Sequence, residues 1–378
     1  MANMQKINPF LWFDHQAEEA ANFYTSVFNN AQTGDELRTG GAVLVKSFSL
    51  DGQKFSALNG GPQFKLNPTI SFYVVFETEA ETDSAWQKLA EGGMVMMPLQ
   101  QYPWSAKYGW VQDRYGLSWQ LSLGKIEDVG QKFTPLLMFC GPQQGRATEA
   151  VQFYTSLFSD SSIKGIMHYE AGEPRPESQV KHAQFTLNGQ TFMAMDSGVD
   201  QPFTFNEALS FVVNCETQEE VDFFWNKLTA DGGEESQCGW LKDKFGVSWQ
   251  ITPEILPRLL SDPNPAVAQR AMAAMMKMRK IEIAKLTEAP ADAKTAITVE
   301  TTVNAPIEKV WRLWTEAEHI QNWNNASDDW HTPKAVNDLR KGGNFTFTMA
   351  ARDGSVSFDF GGVFDEVIEN QHIAYTLG

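Results

Sequence analysis

The chain nearly repeats itself: NFYTSVF at positions 22 to 28 returns as QFYTSLF at positions 152 to 158. The match runs far beyond that phrase. INPFLWF (7 to 13) aligns with FTPLLMF (133 to 139), and FSLDGQKFSALNGG (48 to 61) with FTLNGQTFMAMDSG (185 to 198). ISFYVVFETEAETDSAWQKLAEGG aligns with LSFVVNCETQEEVDFFWNKLTADGG, and YGWVQDRYGLSWQLS (108 to 122) with CGWLKDKFGVSWQIT (238 to 252). A unit of about 130 residues is too long for a solenoid repeat, so each copy is expected to be a domain.

Within each copy the pattern predicts strand, helix, hairpin, then the same again, an α+β arrangement with helices on one face of a curved sheet. Ala20, Phe23, Tyr24, Val27 and Phe28 recur at helical spacing and form one apolar face. Thr78 with Glu81, and Thr217 with Glu220, read as capping boxes opening the second helix of each copy, with Gly92-Gly93 and Gly232-Gly233 as stops. Asp51-Gly52 and Asn188-Gly189 signal two-residue hairpin turns. A turn at Asn188-Gly189 sets Phe185 opposite Phe192, Ala183 opposite Ala194, and Lys181 opposite Asp196 as a cross-strand ion pair. His182 then faces away from Asp196, which excludes a dyad between them.

The strings PFLWFDHQAEEAANFYTSVF, DGQKF and GWVQDRYGLSWQL resemble the PhnB-like branch of the vicinal oxygen chelate superfamily, the glyoxalase and bleomycin-resistance fold. The resemblance covers residues 5 to 255 and implies paired βαβββ units around a concave ligand site. Some members of the branch carry the name 3-demethylubiquinone-9 3-methyltransferase. Glyoxalase-like relatives hold a divalent metal, and the carried-over positions fall near Asn8, Ala57, Ser71 and Gln120 in the first copy, and near Thr134, Ala194, Ser210 and Gln250 in the second. Of these only the glutamines are plausible ligands, and one neutral amide does not hold a dication, so no metal and no cofactor are expected. The glycine pairs make no GxGxG turn between a strand and a helix, which argues against methyl transfer on a doubly wound fold.

The candidate ligand-binding residues are therefore aromatic and amide. If Gln120 faces the concavity, alternation adds Phe10, Trp12 and Tyr73, and Trp110, Trp240 and Gln250 complete the set. Trp119 and Trp249 should point into the helix layer, with Trp86 and Trp225 in the core. Such a cleft suits a flat or hydrophobic small molecule.

After the second copy, Pro265 opens a helix expected to reach Ala289, with Met272, Met275, Met276, Ile283 and Leu286 on one face, docked on the second domain. From 296, AITVETTV reads as a strand and APIEKVWRLWTEAEHIQNWN as an amphipathic helix. With ASDDWHTPKAVNDLRKGGNFTFTM and GSVSFDFGGVFDEV, this resembles the START-like family that includes homologues of the chaperone-ATPase activator. That implies a helix-grip fold, expected here to lack its long terminal helix. Asp328, Asp329 and His331 beside Trp330 read as a solvated loop.

The expected organisation is a glyoxalase-like domain at 1–128, a second at 131–262, a helix and linker at 263–294, and a partial START-like domain at 295–378, with the first two forming an intrachain pseudo-dimer. A formal charge of −17 argues against a nucleic-acid partner. Three widely spaced cysteines fit a reducing cytoplasm, and no apolar run approaches membrane-spanning length. The leading expectation is a protein binding a small hydrophobic or aromatic ligand. The alternatives are a metal-dependent lyase, isomerase or dioxygenase, which would need two good donors beside Gln120 or Gln250, and a chaperone regulator acting through the C-terminal segment.

Overall fold

The computed structural model describes residues 5–39, 41–287 and 299–377. The chain divides into two compact units, Met1–Ala293 and Lys294–Gly378, each described by itself. Among the described residues no helix is long and apolar enough to cross a membrane.

The first copy contributes β1 (Ile7–Phe13), α1 (Ala17–Val27), β2 (Ala31–Thr39), β3 (Ala42–Leu50) and β4 (Gln53–Asn59), then β5 (Ile70–Phe76), α2 (Glu79–Ala90), β6 (Met94–Tyr102), β7 (Ser105–Gln112) and β8 (Ser118–Leu123). A short helix, α3 (Ile126–Val129), leads into the second: β9 (Phe133–Phe139), α4 (Ala147–Leu157), β10 (Ser162–His168), β11 (Val180–Leu187) and β12 (Gln190–Asp196), then β13 (Leu209–Cys215), α5 (Gln218–Leu228), β14 (Glu234–Glu235), β15 (Trp240–Lys242) and β16 (Ser248–Pro253). This is βαβββ four times over, as the α+β expectation requires.

The strands do not close into one sheet per copy. One eight-stranded sheet runs β14-β15-β16-β13-β1-β4-β3-β2, and the other runs β10-β11-β12-β9-β5-β8-β7-β6. Each sheet thus takes half of its strands from each copy. The seam of the first is β1 against β13, antiparallel, with Phe10 opposite Ser210; the seam of the second is β5 against β9, with Tyr73 opposite Thr134. The intrachain pseudo-dimer is an exchange of half-domains, which satisfies the strand edges that a lone copy would leave open.

The helix-bearing faces of the two sheets share one core. Phe55 of the first sheet meets Phe72 of the second at 5.1 Å between ring centroids, and Phe192 meets Phe211 at 5.6 Å. Tyr24 on α1 reaches Trp119 at 5.4 Å. Burying a side chain of this size contributes roughly 1.5–3 kcal/mol. Ala17, Ala20, Ala21, Tyr24 and Val27 form the buried face of α1, while Phe23 is half-buried beneath the Arg114 guanidinium.

Local signals hold in most places. Asp51-Gly52 and Asn188-Gly189 both have positive φ, and the second hairpin keeps Phe185 opposite Phe192 and Ala183 opposite Ala194. The hydroxyls of Thr78 and Thr217 cap Glu81 and Glu220 as expected, but neither glutamate returns to its cap's own N–H. Glu81 accepts from the Thr78 hydroxyl and Glu220 from the Glu216 N–H.

The Lys181–Asp196 ion pair does not form. Lys181 pairs with Glu173, from the segment joining β10 to β11. Asp196 is fully buried and accepts the Gly145 and Val180 N–H groups at 2.8 Å, sitting under the free amides that open α4.

After a short α6 (Ile255–Leu260), the helix expected from Pro265 to Ala289 is broken into α7 (Pro265–Met275) and α8 (Ile283–Thr287), and positions 288 and 289 lie outside the described residues. The backbone N–H groups of Cys238 and Gly239 donate to the carbonyls of Met278 and Arg279 at 2.7 Å, holding that turn and bend beside the loop before β15. Met278, Ile281 and Leu286 are buried against Leu256, whereas Met276 faces outward.

In the second unit, α9 (Ile307–Thr315) and α10 (Ala317–Trp323) precede an antiparallel sheet ordered β17 (Trp330–Asn337), β18 (Asn344–Ala351), β19 (Ser357–Ile368) and β20 (His372–Leu377). Positions 296–298 of the expected opening strand lie outside the described residues, and 299–304 form none. Asp328 and Asp329 lie in a turn ahead of Trp330.

Candidate functional site

Alternation decides which side chains line each hollow. In β1, Ile7, Leu11 and Phe13 are buried toward the helices, leaving Asn8, Phe10 and Trp12 on the concave face. Leu241 is likewise buried on β15, so Trp240 and Lys242 share the concave face with Gln250 and Ser248 of β16 and Ser210 of β13. Trp119 and Trp249 lie in the helix-side core, as does Trp225, with Trp86 partly buried against it.

The candidate residues thus fall into two hollows, divided otherwise than the repeat suggests. Phe10 and Trp12 lie with Trp240 and Gln250 on the first sheet; Tyr73 lies with Trp110 and Gln120 on the second. A single hollow holding Phe10, Trp12, Tyr73 and Gln120 does not exist, because β1 is bracketed by β4 and β13 and never borders β8.

Both hollows repeat one polar pair. The Gln120 side-chain amide donates to Ser71 Oγ at 2.9 Å, and that of Gln250 donates to Ser210 Oγ at 3.0 Å. Around that pair they differ. In the second sheet Tyr108 donates its hydroxyl to Gln120 Oε1 at 2.6 Å, and the Trp110 indole N–H donates to Ser118 Oγ at 2.7 Å. Leu136, Met138 and Met193 fill in beside them, with Tyr102 edge-on to Tyr108 at 5.6 Å. Burial pushes the Tyr108 hydroxyl far above its ordinary value and raises that of Tyr73, so both stay neutral.

In the first sheet the position of Tyr108 is taken by Cys238, whose positive φ, followed by that of Gly239, delays the strand until Trp240. Its sulfur turns to Met276 Sδ at 3.6 Å. Trp240 stands edge-on to Phe10 at 5.8 Å and to Trp12 at 6.0 Å. Trp12 packs on Phe64 at 5.0 Å and donates its indole N–H to the Gly61 carbonyl at 2.8 Å. Among the described residues Gln250 Oε1 has no hydrogen-bond partner, and Ser248 Oγ and Asn8 Oδ1 are buried without one. No sequence signal marks Phe64, whereas the alignment of residues 108 to 122 with 238 to 252 already sets Cys238 against Tyr108.

Of the positions at which a superfamily metal would be held, Ala57 and Ala194 pair with Leu11 and Leu137 on the helix-side faces. Asn8, Ser210 and Gln250 remain in one hollow and Thr134, Ser71 and Gln120 in the other, all neutral. His182 is half-buried on β11, its pKa lowered by burial. Among the described residues the one cluster of His and carboxylate groups close enough to share an ion is Glu316, Glu318 and His319, in the second unit. Two surface cavities, of 380 Å³ beside Gln53 and Gln131 and 240 Å³ beside Phe28 and Lys88, are lined by none of the seven candidate residues.

A family model described as 3-demethylubiquinone-9 3-methyltransferase matches residues 5–122 and again 131–252. One described as Activator of Hsp90 ATPase homolog 1-like protein matches 304–378. Among solved structures, a PhnB protein from Bacillus cereus is 43% identical over 32% of this chain and 100% of its own, with a TM-score of 0.31. Chr148 from Cytophaga hutchinsonii is 60% identical over 20% of this chain with a TM-score of 0.19, and the chain spans 53% of its length. Glyoxalase I from Zea mays is 9% identical over 64% of this chain and 89% of its own, at a TM-score of 0.45. No curated protein matches the chain. With both copies matched, together more than half of its length, the chain belongs to the 3-demethylubiquinone-9 3-methyltransferase family, the PhnB-like branch expected from its motifs, in two tandem copies.

Proposed function

We propose that the chain binds a small, largely apolar organic molecule in the hollow of the first sheet, without a metal at the superfamily's position. The observation that carries this reading is the Gln250–Ser210 pair lying on the same face as Phe10, Trp12 and Trp240 with its amide oxygen unpartnered. Aromatic walls and one polar anchor are the usual composition of a small-molecule site.

A divalent cation does not fit this donor set. Asn8, Ser210 and Gln250 carry no charge, and with the Ser210 hydroxyl accepting from the Gln250 amide nitrogen, the oxygens left are neutral ones with no carboxylate or imidazole among them. Lys242, on the same face, holds Glu207 in an ion pair at 2.7 Å, so that carboxylate is already neutralised. The methyltransferase name belongs to the family description; the βαβββ units offer no strand, glycine-rich turn and helix of the doubly wound kind, and no step is built on that name.

The test is titration of the full-length protein with 1-anilinonaphthalene-8-sulfonate, read by probe and tryptophan fluorescence. The reading predicts saturable binding that Trp240→Ala weakens about tenfold. Binding that fails to saturate, or that ignores Trp240→Ala, contradicts it.

A further inference from the structure

The two hollows are duplicates that diverged at one contact, and the second shows what completes the first. In the second sheet the glutamine has two partners, the Ser71 hydroxyl and the Tyr108 phenol at 2.6 Å, within a wall of aromatic and methionine side chains. In the first, among the described residues, Gln250 keeps only its serine; Cys238 replaces the tyrosine and turns to Met276, and Ser248 Oγ is buried without the indole partner that Ser118 has in Trp110. Ser248 Oγ is buried without a partner, which costs free energy that a ligand can recover, whereas Gln250 Oε1 is not fully buried and is open to an incoming donor.

We infer that the hollow of the first sheet takes a flat aromatic ligand bearing a phenolic hydroxyl, whose O–H bonds to Gln250 in the role that Tyr108 plays toward Gln120. This inference rests on the binding reading above and adds the ligand's class. A phenol both donates and accepts, so it satisfies the glutamine amide whichever way that group is turned. Its ring replaces the tyrosine ring against Trp240 and Phe10. In the second hollow the glutamine already has its phenol in Tyr108, although Thr134 Oγ1 there is also buried without a partner.

The experiment compares 2-naphthol with 2-methoxynaphthalene, the same ring system with its donor methylated, by calorimetric titration of the full-length protein. The ether is the more apolar of the two, so partition alone would favour it. The inference predicts that naphthol binds about tenfold more tightly and that Gln250→Leu removes the difference. Should that variant fail to fold, the ratio of the two affinities on the unaltered protein still decides. Equal affinities, or a hydroxyl preference surviving in Gln250→Leu, would overturn the phenol assignment while leaving an apolar site in place. If neither naphthalene binds, the assignment and the binding reading fall together.

Discussion

The indole N–H of Trp119 donates to Asp113 Oδ2 over 2.8 Å, and neither side chain is more than 4% exposed. The second copy repeats the contact between Trp249 and Asp243 at 2.8 Å, with Tyr154 adding its hydroxyl at 2.6 Å. Each aspartate also accepts two backbone N–H groups of its D-x-x-G turn, from Tyr115 and Leu117 and from Phe245 and Val247. The turn, the last strand of the half and its tryptophan are thereby fixed as one piece.

Burial pushes both carboxyls up from 3.8 to about 6, against the pull of their hydrogen bonds. The folded chain therefore binds these protons more tightly than the unfolded one. The stability involved is fully present below the unfolded value of 3.8 and is lost as pH rises through about 6. A gap of about two pKa units corresponds to roughly 1–3 kcal/mol per group. Chemical unfolding between pH 4 and 6.5 should show stability falling with pH more steeply in the unaltered protein than in the Asp113→Asn, Asp243→Asn double variant. Parallel profiles would refute the assignment.

Gly60 sits where Trp12 must lie. A Cβ there would come within 2.2 Å of the indole ring, so Gly60→Ala should displace Trp12 from Phe64 and from the Gly61 carbonyl. The expected cost is about 1–3 kcal/mol, read as a lower unfolding midpoint, with a shifted tryptophan emission and weaker binding of 1-anilinonaphthalene-8-sulfonate. An unchanged spectrum and midpoint would mean that Trp12 is not held as described.

The exchanged half-sheets make a prediction about fragments. Expressed alone, residues 1–128 would expose β1 and β5 along the edges that β13 and β9 cover in the whole chain. That fragment should self-associate, and co-expression with residues 129–293 should give a one-to-one complex, measured by size exclusion with light scattering. A stable, fully folded monomer of 1–128 would contradict the pairing.

The repeat made the order of elements readable, because capping residues, Asp-Gly and Asn-Gly turns and alternation are all local. It did not show that Phe10 belongs with Gln250, since strand partners across a pseudo-dimer are set by competition between identical edges, which alternation does not register. Hairpin register alone sets Lys181 opposite Asp196, but the free amides at the start of α4 take that carboxylate. The break between α7 and α8 is set by non-local contacts in the same way. Ala, Met and Lys favour helix throughout, and hydrogen bonds from Cys238 and Gly239 override them.

The most direct check of the central claim is the metal content of the purified, dialysed full-length protein after exposure to zinc, manganese or nickel, measured by plasma mass spectrometry. Neutral hollows anchored on Gln120 and Gln250 should retain far less than one equivalent of any of them, and that trace should be indifferent to Gln250→Leu. One tightly held equivalent that disappears with Gln250→Leu or Gln120→Leu would contradict the account.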